Sequence, residues 1–267
     1  MSFAITGKTA IVTGGANGIG LAIGRHFVDK GANVVFADMD EASLQKELGD
    51  NEEGRSFRYF AGDLREKLTQ ANLLSAALDA FDGVDILINA SRQVIAADPL
   101  SDVVDDAVDT LLQQNLLTAL RLSQLVARRM IKQSGKQTEG SAGAIINLSC
   151  IAARRTTPEL LAYSVSTAAL DQMTRSLAVA LAPHRIRVNG LAFGSVMSNS
   201  LKQTLRDNTE YRSEIEAHTP LGRIAAPSEL AHAAQYLAAD ASAFMTGQIM
   251  TLDGGRTLID PVSAPAH

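Results

Sequence analysis

The residues best suited to chemistry fall in one stretch, Ala144–Leu170, AIINLSCIAARRTTPELLAYSVSTAAL. Its first part is an apolar, branched run that predicts a buried strand, and it delivers Ser149 and Cys150 to the strand's end. Its last part predicts a helix in which Tyr163 is the sole aromatic residue, followed by small side chains. A phenol beside a hydroxyl or thiol is the raw material of proton exchange with an oxygen of a bound molecule. A second set lies near the start: KTAIVT runs into Gly14-x-x-x-Gly18-x-Gly20 and then into LAIGRHFVDKG, with apolar residues at helical spacing. Glycines there let the backbone turn sharply and approach a pyrophosphate, whose charge meets the N-terminus of the next helix.

Positioning those groups requires a regular scaffold, and the rest of the chain supplies one. Strands are predicted at 8–13, 33–37, 56–61, 84–88, 144–150, 185–190 and 248–252, with helices between them. Among these helices are 41–48, 66–81, a long one over 102–132 with Ser101 as N-cap, one over about 162–181, and 228–238. Continuous apolar strands, each followed by a helix, imply a parallel sheet covered on both faces. The expected fold class is α/β: a single Rossmann-like, doubly wound domain over residues 1–267. Residues 195–219 form a variable segment over the substrate side, and the polar stretch 132–143 is a surface loop.

Composition narrows the function. The 267 residues carry a net charge of −5 with acids and bases interleaved, so no basic stripe favours nucleic acid or a membrane surface. The five aspartates between Asp98 and Asp109 read as a solvated helix face. No apolar run reaches the roughly 18 residues of a membrane span. The five histidines lack metal-ligand spacing, so no metal is expected. A single cysteine excludes an internal disulfide and fits a reducing compartment, so a cytoplasmic protein is expected.

Taken in order, the motifs resemble the short-chain dehydrogenase/reductase family. They are Thr13-Gly14-x-x-x-Gly18-Ile19-Gly20, Asp38 after the second strand, Asp63-Leu64 after the third, and Asn89 after the fourth. Pro220-Leu221-Gly222-Arg223, Pro227, Thr246-Gly247-Gln248 and Asp253-Gly254-Gly255 complete the set, so the resemblance runs from about Lys8 to Gly255. It implies that Gly14, Asn17, Gly18, Ile19 and Gly20 wrap the pyrophosphate and adjacent ribose, and that Asp63 and Leu64 hold the adenine. By the same resemblance Asn89, Ala90, Gly194, Val196 and Ser198 complete the cofactor site, with Tyr163 at its reactive end. Asp38 carries its own argument: a carboxylate at a strand tip accepts hydrogen bonds from both adenosine hydroxyls and repels a 2′-phosphate, which points to NAD rather than NADP.

In that family a tyrosine acts as general acid/base, helped by a lysine four residues on, a serine thirteen residues before and an asparagine on the preceding long helix. Tyr163 and Asn115 match. Thr167 stands in the lysine position, and counting back thirteen residues reaches Cys150; a one-residue loop deletion would put Ser149 there instead. A free tyrosine has a pKa near 10, so only about one in a thousand is phenolate at neutral pH. A cation about 4 Å away at an effective dielectric near 20 contributes on the order of 4 kcal/mol, roughly three pKa units, and threonine supplies none of it. Two further departures are Arg92, where the family has the glycine of Asn-Asn-Ala-Gly, and Phe193, where it has a proline. Arg92 can crowd the cofactor, pair with the pyrophosphate, or enter the cleft as a substitute cation. Arg154 and Arg155 are candidates for an anionic substrate, with surface exposure as the alternative.

Three functions fit this pattern. The first is an NAD-dependent oxidoreductase on a small alcohol or carbonyl compound, with a degraded tetrad. The second is a nucleotide-binding pseudoenzyme that senses cofactor or supports an oligomer partner. The third, a non-redox activity of dehalogenase-like relatives, is opposed by the intact glycines and Asp38. The resemblance also implies a homo-oligomer, a dimer or tetramer.

Overall fold

A computed structural model of the protein describes residues 2–135 and 139–260. Its strands and helices alternate almost without break. β1 (Thr9–Thr13) leads to α1 (Gly18–Asp29), β2 (Asn33–Asp38) to α2 (Glu41–Leu48), and β3 (Phe57–Ala61) to α3 (Lys67–Phe81). β4 (Ile86–Asn89) is followed by α4 (Val103–Leu111), a wide π-type turn over Leu112–Leu117, and α5 (Thr118–Ser134). β5 (Gly143–Cys150) leads to α6 (Leu161–Leu181), and β6 (Ile186–Phe193) to α7 (Asn199–Asp207), α8 (Glu210–Ala217) and α9 (Pro227–Ala238) before β7 (Ile249–Leu252).

The seven strands form one parallel sheet in the order β3-β2-β1-β4-β5-β6-β7. Successive side chains of a strand point to opposite faces, and both faces are buried here, which is why the strands read as unbroken apolar runs. Val12, Val34, Phe36, Ile88 and Ile146 pack on one face with Ile23 and Phe27 of α1 and Leu230 and Leu237 of α9. Ile11, Val35, Leu87, Ile145 and Val188 pack on the other with Leu73 of α3 and Leu122 and Val126 of α5. The strand order reverses between β1 and β4, which opens a crevice beyond their carboxyl ends.

Five expectations change. The helix predicted over 102–132 is interrupted by the π-type turn at 112–117. Ser101 does not cap it: its Oγ donates to the Asp98 carbonyl at 2.7 Å, and α4 starts after Asp102 without a side-chain cap. β6 runs three residues further than predicted, to Phe193, because it pairs along the whole of β5. The variable segment holds two helices, α7 and α8. Of the polar stretch 132–143, the first part continues α5 to Ser134, and residues 136–138 lie outside the described residues. Among the described residues, no helix is long and apolar enough to cross a membrane.

Candidate active site

At the crevice lies a groove of about 710 Å³ lined by Gly14, Asn17, Gly18, Ile19, Gly20, Asp38, Asp63, Leu64, Ala90 and Ser198, all anticipated from sequence. Its glycines are there for steric reasons. Gly14 has φ +66, and a Cβ at this position would meet the Ala90 and Ser91 backbone at 2.9 Å. A Cβ on Gly20 would overlap the Gly14 carbonyl. The loop therefore lies close against the end of β4, and Thr13 Oγ1 fixes that approach by accepting from Ala90 N and Ser91 N, both at 3.0 Å. Asn17 precedes α1 in extended conformation without a side-chain cap, so the first N–H groups of α1 lack a side-chain partner there. A backbone cradle at a helix N-terminus fits a dinucleotide pyrophosphate.

At the far end, one Asp38 oxygen accepts from Ala16 N at 3.1 Å and the other from Asp40 N at 3.2 Å. Beside it, Arg65 clasps Asp63 through Nε to Oδ1 at 2.9 Å and Nη2 to Oδ2 at 2.6 Å. That clasp holds the Asp63 carboxyl below its ordinary pKa. The Leu64 carbonyl accepts from Gln70 at 2.7 Å, which anchors the wall that this residue forms.

Four anticipated cofactor residues do not line the groove. Asn89 turns inward, donating to Asn147 Oδ1 at 2.8 Å and Ser123 Oγ at 3.0 Å, and Asn147 in turn donates to Thr174 Oγ1 at 2.8 Å. This ladder ties β4, β5 and α6 together beneath the site. Gly194 continues β6 into a backbone bond with Leu252, and Val196 is buried in a bridge with Ala225. Tyr163 is 3 % exposed. Ser198 lines the groove and also caps α7 through Leu201 N at 3.2 Å.

Tyr163, Cys150 and Arg92 are brought together. The Cys150 thiol lies beside the Tyr163 hydroxyl, whereas Ser149 faces the interior beside Asp171 without a hydrogen bond of ordinary geometry. Burial raises the Asp171 carboxyl above its ordinary pKa. Thr167 is buried, and its hydroxyl donates to the backbone of its own helix, at Tyr163 O (2.9 Å) and Ser164 O (3.1 Å). Asn115 sits in the π-type turn and clamps the segment after β4 from both sides. Its Oδ1 accepts from Gln93 N at 2.8 Å and its Nδ2 donates to Gln93 O at 2.9 Å, with a further bond to Ser166 at 3.2 Å. A small void of about 10 Å³, room for about one water, remains between Tyr163, Thr167, Asn89, Asn115 and Arg92.

Arg92 Nη1 donates to the Tyr163 hydroxyl at 2.8 Å, and the guanidinium carbon lies 4.4 Å from the centre of the Phe193 ring. Burial drives the tyrosine's pKa above its ordinary value, and the Arg92 charge opposes that rise without cancelling it. Arg155 is held by the Thr257 carbonyl at 2.7 Å, and Arg154 stays exposed. Sequence reasoning missed Gln114, which lines the groove and donates to Ser91 Oγ at 3.0 Å. Its exposure to the groove depends on the wide turn that carries it, and helical periodicity gives no sign of that turn.

The chain matches the family profile described as enoyl-(acyl carrier protein) reductase over residues 14–257. It is 34 % identical over 256 residues to an uncharacterized oxidoreductase of Mycobacterium tuberculosis, covering 96 % of this chain and 94 % of that one. The crystal structure of gox2181 superimposes with a TM-score of 0.86 at 31 % identity, covering 96 % and 98 % of the two chains. A gluconate 5-dehydrogenase from Burkholderia cenocepacia, solved with NADP and tartrate, gives a TM-score of 0.85 at 28 % identity, covering 97 % and 98 %.

Proposed function

The chain belongs to the short-chain dehydrogenase/reductase family of oxidoreductases, and from that premise we propose that it is an NAD(H)-dependent carbonyl reductase of small molecules. The observation that carries this reading is a glycine-lined groove with the Asp38 carboxyl at its far end and, beyond its near end, the Tyr163 hydroxyl, which accepts from Arg92 at 2.8 Å. Gly14, Gly18 and Gly20 would hold the pyrophosphate of the dinucleotide, and Asp38 the adenosine hydroxyls. The bound nicotinamide would supply hydride. Tyr163 then gives its proton to the substrate oxygen, while Cys150 offers that oxygen a second, weaker donor. A phenol held above its ordinary pKa is already in the acid form at neutral pH, so reduction is favoured kinetically over alcohol oxidation, which needs the phenolate. Residues 195–219 cover the substrate side. Exposed Leu161, Val165, Val179 and Phe244 lie on or near α6 and the segment before β7, the faces through which a homo-oligomer would form.

A second reading, an NAD-binding subunit without turnover, draws on the buried Tyr163 and on a Thr167 hydroxyl bound to its own helix. Both readings are tested by titrating NADH and NADPH, following cofactor fluorescence in a chain that has no tryptophan. Tighter binding of NADH is expected; binding of neither nucleotide would sink both. A screen of ketones, aldehydes and alcohols then separates them, since turnover by the wild type that is lost in Tyr163→Phe removes the second reading.

A further inference from the structure

Three departures from the family pattern converge on one hydroxyl. Thr167 leaves the turn of α6 after Tyr163 without a cation, Arg92 brings one from the segment after β4, and Phe193 at the end of β6 sets its ring centre 4.4 Å from the guanidinium carbon. We propose that Arg92 is a catalytic residue: it supplies, from the segment after β4, the positive charge that α6 does not bring to the Tyr163 hydroxyl, and Phe193 is the platform that holds it there. The proposal deepens the reductase reading, in which Tyr163 surrenders a proton.

The direction of the hydrogen bond matters. A guanidinium has donors and no acceptor, so at 2.8 Å the tyrosine oxygen accepts from Arg92. Its own O–H is left for another acceptor, which in the reaction is the substrate oxygen. A hydride supplied by the bound reduced nicotinamide, which would thereby be oxidised, would add at the carbonyl carbon and move the C=O π pair onto that oxygen. The Tyr163 O–H bond breaks, the proton passes to the substrate oxygen, and the electron pair stays on a phenolate already in contact with the cation. Water then returns the proton. The other titratable group that bears on this hydroxyl is Cys150, which disfavours its ionisation, so Arg92 is the group that favours it. Stacking on an aromatic face suits a flat, delocalised guanidinium far better than an ammonium, and it fixes the plane from which Nη1 reaches Tyr163. Arg92 also lines the nucleotide groove, so one residue borders both the cofactor and the acid.

The test uses the full chain with 3,5-difluorotyrosine incorporated, a phenol that ionises near neutrality, and follows tyrosinate absorbance. Subtracting the titration of Tyr163→Phe isolates the Tyr163 midpoint from the other three tyrosines. Arg92→Gln and Arg92→Met are expected to raise that midpoint by about one pH unit or more, a tenfold or greater fall in the ionisation constant. Arg92→Lys should raise it less, and Phe193→Leu should raise it by an intermediate amount as the guanidinium loses its platform. A midpoint that stays within about 0.3 unit of wild type in whichever of Arg92→Gln and Arg92→Met folds would overturn the assignment. An unchanged midpoint in Phe193→Leu would overturn the platform. The measurement needs neither nucleotide nor substrate, so failure of the charge pairing is distinguishable from failure of cofactor binding.

Discussion

Around the glycine loop the cleft is lined by backbone: Gly14 against Ala90 and Ser91, Gly20 against Gly14, and the open N–H groups at the start of α1. Around Tyr163, side chains meet from three segments, Arg92 after β4, Cys150 at the end of β5 and Phe193 at the end of β6. The two ends therefore tolerate change differently. At Gly14 and Gly20 the backbone cradle has no room for a Cβ, so those two positions are close to all-or-none. A side-chain cluster can exchange one donor of charge for another, provided the new group reaches the same atom.

The largest test of that contrast is at the cradle. Gly20→Ala is expected to destabilise the fold by about 2 kcal/mol or more and to abolish NADH binding, read by chemical denaturation and cofactor fluorescence, because the colliding atom is a carbonyl of the same loop. A well-folded Gly20→Ala that binds NADH would break the claim that the backbone sets this end. At the other end, Tyr163→Phe should remove carbonyl reduction while leaving the NADH dissociation constant within about twofold, since the hydroxyl does not line the groove. Next in size is Asp38→Ser, for which the NADH-to-NADPH affinity ratio should fall by about ten- to a hundredfold; an unchanged ratio would remove Asp38 from cofactor choice.

A smaller effect is expected from moving the charge back. Thr167→Lys alone should perturb packing, because the void beside Thr167 is only about 10 Å³ and Arg92 borders it. Adding Arg92→Gly clears that space and removes the like charge, so the double variant should be more stable than Thr167→Lys by about 1 kcal/mol in a denaturation cycle. Strict additivity of the two changes would mean that the sites are uncoupled.

The smallest effect lies away from the cleft, at Glu229, which accepts from Ala226 N at 2.8 Å at the start of α9 and pairs with Arg223. The Arg223 hydrogen bond, with the Ala226 bond, lowers its pKa to about 2. With the folded value below the unfolded one, its contribution is full above about pH 4.5 and disappears as pH falls through about 2. Both partners are substantially solvent-exposed, so Glu229→Gln should cost about 0.5 kcal/mol at pH 7 after screening and less at pH 3. A larger loss at pH 3 would contradict the sign.

Much of the cradle was legible in the chain because its determinants are local. Gly14, Gly18 and Gly20 fall within seven residues of one another at a strand-to-helix turn, and Asp38 ends a strand whose apolar run is unmistakable. The chemistry end was legible only as a set of candidates. Asn89 has the residue type of a cofactor contact, yet its amide is spent on Asn147 and Ser123, because a buried amide must find partners wherever the neighbouring strand offers them. Ser149 and Cys150 are adjacent in sequence and opposite in space, since successive residues of a strand face opposite sides; the strand places the thiol, not the hydroxyl, beside Tyr163.

The sequence by itself determined the alternation of strands and helices, the parallel sheet, the glycine turn and the carboxylate at its far end, all of which follow from periodicity and from what a Cβ permits over a few residues. It also showed that Tyr163 had lost its usual cation. Only the tertiary structure decided where a cation comes from. Arg92 lies 71 residues from Tyr163 and reaches it at 2.8 Å. Its direction is set by the Phe193 ring and by the path of the segment after β4, which Asn115 clamps from a wide helical turn. A long, flexible side chain has many rotamers of similar energy, and the surrounding packing selects the one that is occupied.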